Sequence, residues 1–196
     1  MGSNATLDNL FSAGGTIEAT IYLESYPEAA ANEPHMCGKT GFVLAATNRD
    51  IRTYKQALLF VSDFAGMDGN WQTDTNTILT ENWYTVAVTY NESSNTNDPI
   101  IYINGVAVTI HETSTPSFTH VDDSAQSGFI GGNASANRLW AGIIDESRWS
   151  RTVRTPAWIK ATHYFINSNL ITAGNVEQEI TLTLSVDGVV KDSAVW

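Results

Sequence analysis

"PIIYINGVAVTI", residues 99–110, sets two β-rich arms on either side of Asn104-Gly105. Both central residues tolerate positive φ, which a type I′ turn requires, so the stretch reads as a tight antiparallel hairpin. Its neighbours repeat the theme. "NWYTVAVTY" (82–90) alternates, with Tyr84, Val86 and Val88 on one face. "GGTIEATIYLES" (14–25) sets Ile17, Ala19, Ile21 and Leu23 against Glu18, Thr20 and Tyr22, the pattern of a strand buried on one side. "GFVLAAT" (41–47) and "ALLFVSD" (57–63) are short apolar runs closed by turn formers, again strand-like. "SGFIGGN" (127–133) and "LWAGIIDESRW" (139–149) are expected to form a further pair of strands joined by "ASANR". Between these runs, "DFAGMDGNWQTDTN" (63–76) reads as a loop holding a tryptophan, and "NESSNTNDP" (91–99) as a polar loop. About ten short strands at regular spacing predict an all-β antiparallel sandwich.

The period changes once. In "RTPAWIKATHYFINSN", Thr155 is placed as an N-cap and Pro156 at the first helical position. Trp158, Ala161 and Phe165 form the apolar stripe expected to dock one short helix on the sandwich. "VEQEITLTLSVDGVVKDSAVW" then resumes alternation around Asp187-Gly188, predicting a C-terminal β-hairpin. That hairpin either finishes the main sheet or projects as an arm for a neighbour. The expected organisation is a sandwich over 1–168 and a ribbon for attachment or oligomerisation over 169–196.

Composition narrows the function. A chain of 196 residues makes one substantial domain. A net charge of −11 argues against nucleic acid, whose binding rests on Lys and Arg displacing counterions. Cys37 is the lone cysteine and reads as a buried thiol, while the four histidines lack zinc spacings. No apolar run approaches the ~18 residues of a membrane helix, so no membrane insertion is expected. The opening "MGSNATLDNLFSAGG" lacks the order of a signal peptide and reads as a native start or a tag remnant.

The order of the phrases "GGTIEATIYLES", "GNW" (69–71), "NWYTVAVTYNESS", "PIIYINGVAVTI", "FIGGN" and "LWAGIIDESRWSR" resembles the concanavalin A-like jelly roll, in its laminin-G-like or pentraxin-like branch. The resemblance spans about residues 7–151. It implies two curved sheets and, commonly, glycan binding, often with calcium. Two positions depart from it: Thr20 stands where an aromatic is usual, and Ser147 where an apolar residue is usual.

Catalysis is not expected. Glycoside hydrolysis needs two carboxyls roughly 5–10 Å apart across the scissile bond. The hydrolases of this fold carry alternating acids on one strand. Here Glu18 is followed on its face by Thr20 and Tyr22, and Asp145 by Ser147. Adjacent Asp145 and Glu146 should point to opposite faces. The resemblance instead implies a structural calcium at Asp145, helped by residues near Asp8 and Ser12, against the alternative of a solvent-facing residue or one paired with Arg148 or Arg151. Glu146 and Arg148 are expected to share a face and to form an ion pair or a cross-strand hydrogen bond. For a sugar, Asp68, Asn70 and Trp71 offer a ring, an amide and a carboxylate, with Asn133 and Asn137 on a second loop. Trp71 equally suits a core role, and Trp83, Trp140, Trp149 and Trp158 are assigned to the core or the helix dock.

These readings converge on a non-catalytic, surface-displayed recognition or adhesion module for cell-surface glycans or polysaccharide. Its expected setting is a virion decoration, fibre or tail protein, or an extracellular or cell surface. The ribbon would engage virion or surface-protein neighbours, or build a homo-oligomer. A purely structural decoration protein is the alternative, and a hydrolase the third.

Overall fold

In the computed structural model the alternating stretches form two antiparallel sheets laid face to face. The structure describes residues 5–27, 33–48, 53–133, 138–167, 181–186 and 189–195. One sheet has the order β11 (Gly142–Ser150), β1 (Gly15–Leu23), β6 (Trp83–Tyr90), β7 (Ile100–Ile103), β8 (Val106–Ala107). The other runs β10 (Phe129–Ile130), β2 (His35–Lys39), β3 (Phe42–Thr47), β4 (Ala57–Ser62), β5 (Gly69–Thr73), β9 (Ile110–Ser114).

The inward positions of both sheets make the core. Ile17, Ile21, Val86, Val88 and Ile101 from the first sheet meet Phe42, Leu44, Leu58, Phe60 and Trp71 from the second. Phe11, from the turn before β1, plugs one end. Its ring lies edge-on to Phe42 at 5.1 Å and to Phe60 at 5.4 Å. Full burial of an aromatic side chain is worth about 2–3 kcal/mol, so this cluster anchors the sandwich.

The turn read at Asn104-Gly105 forms, with φ 52° and 77° turning β7 into β8, but the second arm ends at Ala107 and Ile110 already belongs to β9 in the other sheet. Four further expectations change. Residues 63–76 are not all loop, because β5 runs through them and pairs with both β4 and β9. The strands β10 and β11 do not pair with each other: β10 lies on β2 and β11 on β1, in different sheets. Local pattern finds strands but leaves non-local partners open. The "ASANR" link between them falls partly outside the described residues.

The helix α1 (Pro156–Ile166) starts as expected, with Thr155 Oγ1 accepting the Trp158 amide at 3.2 Å. Its docking residue is Ile159, buried against Ala87 and Tyr102 on the outer face of the first sheet, whereas Trp158 is half exposed. The stripe through Trp158 and Ala161 is therefore not the dock. Arg154 instead covers the Trp158 ring at 4.2 Å.

The fourth change concerns Asp145 and Glu146. The register of β1 with β11 slips between Glu18 and Thr20, a β-bulge with Glu146 at φ 52°. The bulge keeps Glu146 out of the core, so both acids are exposed instead of one pointing inward. Glu146 pairs with Arg148, as the spacing predicts.

The chain divides into two compact units, Met1–His163 and Tyr164–Trp196. In the second, β12 (Thr181–Val186) and β13 (Val189–Val195) pair in a two-stranded sheet of their own. The turn read at Asp187-Gly188 lies outside the described residues.

Candidate functional site

The residues read as a sugar site separate once strand geometry acts on them. Successive side chains on β5 point to opposite faces. Trp71 therefore points inward, fully buried, with its ring 6.0 Å from Phe60 and 5.3 Å from Tyr90. It has no face left for a ligand, which corrects its reading as a stacking platform and leaves it a core residue. Asn70 points outward and donates to the Asp68 carbonyl at 3.3 Å, while Asp68 Oδ1 accepts the Phe64 amide at 3.2 Å. These are bonds that shape a turn. Asn133 follows β10, at the far edge of the same sheet. Four strand spacings, about 19 Å, part it from the β5 strand that carries Asn70. Asn137 lies outside the described residues.

Trp71 nevertheless bonds to an exposed residue through one atom. Its Nε1 donates to Asp98 Oδ1 at 2.8 Å. Asp98 belongs to an open pocket of about 320 Å³ lined by Thr89, Tyr90, Asn91, Thr96, Asn97, Asp98, Ile100 and Val153. Thr89 and Ile100 are cross-strand partners on the outer face of the first sheet. The loop 91–98 forms one wall and is braced by its own polar groups. Asn97 Nδ2 donates to the Asn91 carbonyl at 2.8 Å, and Asn91 Oδ1 accepts the Ser93 amide at 3.0 Å.

Val153 forms the opposite wall. It is held because Thr16 Oγ1 donates to the Thr152 carbonyl at 2.6 Å and accepts the Arg154 amide at 2.9 Å. Gly14, at φ 98°, lets the walls meet: a Cβ there would stand 2.6 Å from Val153 Cγ2 and 3.8 Å from Asn91. The lining thus combines two amides, two threonine hydroxyls, one carboxylate, one tyrosine and two aliphatic side chains, with no cationic side chain. The stretch 91–99 reads in sequence only as a polar loop. The signal it carries is its density of Asn, Thr and Asp directly after a strand; nothing local announces that Val153 completes the wall.

Beside the pocket, one end of the sandwich collects acids. Lys39, 1% exposed, binds Asp8 at 2.8 Å and Asp123 at 3.0 Å. Burial alone would lower the lysine's pKa, but the two carboxylates reverse this and raise it. Glu92, next to the pocket residue Asn91, is buried and accepts from Ser62 Oγ at 3.1 Å. Desolvation pushes its carboxyl up to about 7, against the pull of His120 and the Ser62 bond and with Asp123 and Asp63 adding to the rise. Asp63 is raised to about 6 by burial and by Asp68.

The calcium reading of Asp145 does not fit the arrangement. Asp145 lies opposite Thr20, whereas Asp8 and Ser12 precede the start of β1. Four residues of strand from Thr16 to Thr20 span about 13 Å. Asp8 is held by Lys39, and Ser12 Oγ donates to the Asn9 carbonyl at 2.9 Å. Asp145 Oδ1 accepts the Glu146 amide at 2.8 Å. A calcium ion wants six to eight oxygens. Among the described residues, no three His, Cys, Asp or Glu side chains are grouped to hold a metal.

No curated protein matches the chain. Among solved structures, a candidate carbohydrate-binding protein from Bacteroides ovatus is similar at 21% identity and TM-score 0.60, over 81% of this chain and 42% of its own. The binding domain of Paraclostridial Mosquitocidal Protein 1 is similar at 14% identity and TM-score 0.61, over 84% and 40%. The receptor-binding domain of botulinum neurotoxin mosaic serotype C/D is similar at 17% identity and TM-score 0.54, over 80% and 37%. The chain thus spans less than half of each of these, and the likeness is one of fold. A family model described as a laminin-G type of the concanavalin A-like lectin/glucanase superfamily matches residues 3–160. With two antiparallel sheets in jelly-roll form and that match over most of its length, the chain belongs to the concanavalin A-like lectin/glucanase superfamily.

Proposed function

We propose that the protein is a non-catalytic recognition module that binds a neutral glycan in the pocket beneath the loop 91–98. The observation that carries this reading is the Trp71–Asp98 bond. A core tryptophan fixes the carboxylate at the mouth of a pocket rich in amides and hydroxyls, with Ile100 and Val153 as the apolar side. Fixed acceptors and planar amides recognise sugar hydroxyls, and the aliphatic wall covers C–H edges. With a carboxylate and no cation in the lining, acidic sugars are disfavoured. The names of the similar structures, binding domains among them, agree with recognition rather than turnover. So do the acids, several of which are engaged: Asp8 and Asp123 by Lys39, and Glu146 by Arg148.

A glycan array followed by calorimetry on the hits tests the reading. Asn97→Ala and Asp98→Asn should each weaken binding tenfold or more while the fold persists. Equal affinity in both variants overturns the pocket, and sugar release by the wild-type protein overturns the non-catalytic assignment.

The ribbon favours a second role beside the first, attachment to a virion or cell-surface neighbour. A two-stranded ribbon alone is marginally stable in water and leaves two edges for pairing. Deleting residues 175–196 should abolish assembly on a native neighbour and leave glycan affinity unchanged; assembly that persists removes the ribbon from that role.

A further inference from the structure

On the outer face of the first sheet, two adjacent cross-strand rows differ in character. One row is Ile143–Tyr22–Trp83, and the next is Asp145–Thr20–Thr85. Each row crosses three strands, about 10 Å, and the two rows lie about 7 Å apart. Trp83 is 51% exposed and Ile143 is 48% exposed, so the apolar row is open. The rings of Tyr22 and Trp83 stand 5.4 Å apart and tilted by 43°, a shallow V. The Tyr22 backbone is held from the side, because Trp140 Nε1 donates to its carbonyl at 3.1 Å. The exposed Asp145 carboxylate stands at the end of the polar row. Thr85 Oγ1, at the other end, is bonded to His163 Nδ1 at 2.6 Å.

Trp83, assigned above to the core or the helix dock, is exposed instead: the alternation that sends Tyr84, Val86 and Val88 inward sends Trp83 out.

The geometry points to this two-row surface as a second glycan-binding site, with a neutral pyranose ring stacked on Trp83 and Tyr22 and its hydroxyls bonded to Asp145. Thr20 is buried and Thr85 is engaged by His163, so Asp145 is the open polar group of its row; a pyranose, with an apolar C–H face and a rim of hydroxyls, matches the apolar row with this one carboxylate beside it. The patch is too small for a stable protein partner. Three half-covered side chains expose on the order of 300 Å², against about 800 Å² per partner in a standard interface. The carboxylate and the chain's net charge of −11 disfavour an anionic sugar. Trp83 and Thr89 are six residues apart on β6, so this surface lies about 20 Å from the pocket. It stands or falls independently of the pocket.

Native gel electrophoresis through laminarin, hydroxyethylcellulose and galactomannan tests the site, with sialylated glycoprotein as the acidic probe. The wild-type protein should be slowed by at least one of the three neutral polymers and not by the acidic one. Trp83→Ala should weaken that retention at least fivefold, Trp83→Phe should restore most of it, and Ile143→Ser should weaken it in part. Both sites are exposed, so unchanged melting temperatures will confirm that the variants are folded. Mobility unaffected by every neutral polymer overturns the site, as does retention that Trp83→Ala leaves intact. Retention lost in Asn97→Ala but kept in Trp83→Ala assigns the sugar to the pocket and also overturns it.

Discussion

Replacing Glu92 by glutamine should stabilise the protein at pH 8 and leave it unchanged at pH 4. Glu92 is 8% exposed, and the Ser62 hydroxyl is the partner within hydrogen-bonding distance, at 3.1 Å. Burial raises its carboxyl from 4.5 to about 7, His120 pulls the other way, and Asp123 and Asp63 push further up. A raised carboxyl binds its proton more tightly in the folded than in the unfolded chain. Its contribution to stability is therefore fully present below pH 4.5 and is lost as the pH rises through about 7. Each pKa unit corresponds to about 1.4 kcal/mol, so the rise from 4.5 to about 7 places the full loss at no more than ~3.5 kcal/mol. Glutamine keeps an oxygen for Ser62 and never ionises, so it escapes the loss.

The difference in unfolding free energy between Glu92→Gln and wild type, taken from urea titrations at steps between pH 4 and pH 8, should start near zero. It should then rise to between ~1 and ~3 kcal/mol in favour of the variant. Working with the difference cancels other titrating groups, among them His35, which burial and Arg138 lower to about 4 against the pull of Glu33. A difference that stays flat, or that favours wild type at pH 8, would refute the reasoning.

Further outcomes follow from the same structure. Trp71→Ala empties a site packed by Phe60 and Tyr90, and should cost about 3–5 kcal/mol in a denaturant melt. A folded, stable variant that has lost only glycan binding would contradict the core placement. Excess chelator should leave the melting temperature unchanged, since Asp145 and the acids near β1 do not share a site; a clear fall would restore a bound ion. Cys37, fully buried with its thiol pushed up to about 12 by desolvation, should react with a thiol reagent only as the chain unfolds. Labelling of the native protein within seconds would contradict its burial.

Period-two patterning made most strands legible, because burial on one face leaves a direct trace in Ile17, Ala19, Ile21 and Leu23 and in Tyr84, Val86 and Val88. It failed at β5, where Gly69 and Asn70 are turn formers and the cross-strand contacts with β4 and β9 make a strand of them. It also failed for the partners of β10 and β11, because pairing across more than ninety residues is a property of topology. The helix was legible from Thr155 and Pro156, but not its face: Ile159 and Trp158 are neighbours, and only the sheet beneath selects between them. Of the site, Trp71 fits the core role and not the sugar contact, because strand alternation turns its ring inward. Its outward bond to Asp98 was invisible, because Asp98 is brought to it by the strand pair β6–β7. Thr89 and Val153 face each other for the same kind of reason.

The bulge at Glu146 interrupts the outermost strand of the five-stranded sheet. The outermost strands β8 and β10 are two residues long, and β9 carries His111 and Glu112 along its length. Each border is thus too short, too bent or too charged to recruit another chain by backbone pairing. Copies of the sandwich therefore resist edge-to-edge fusion into fibres even at high concentration.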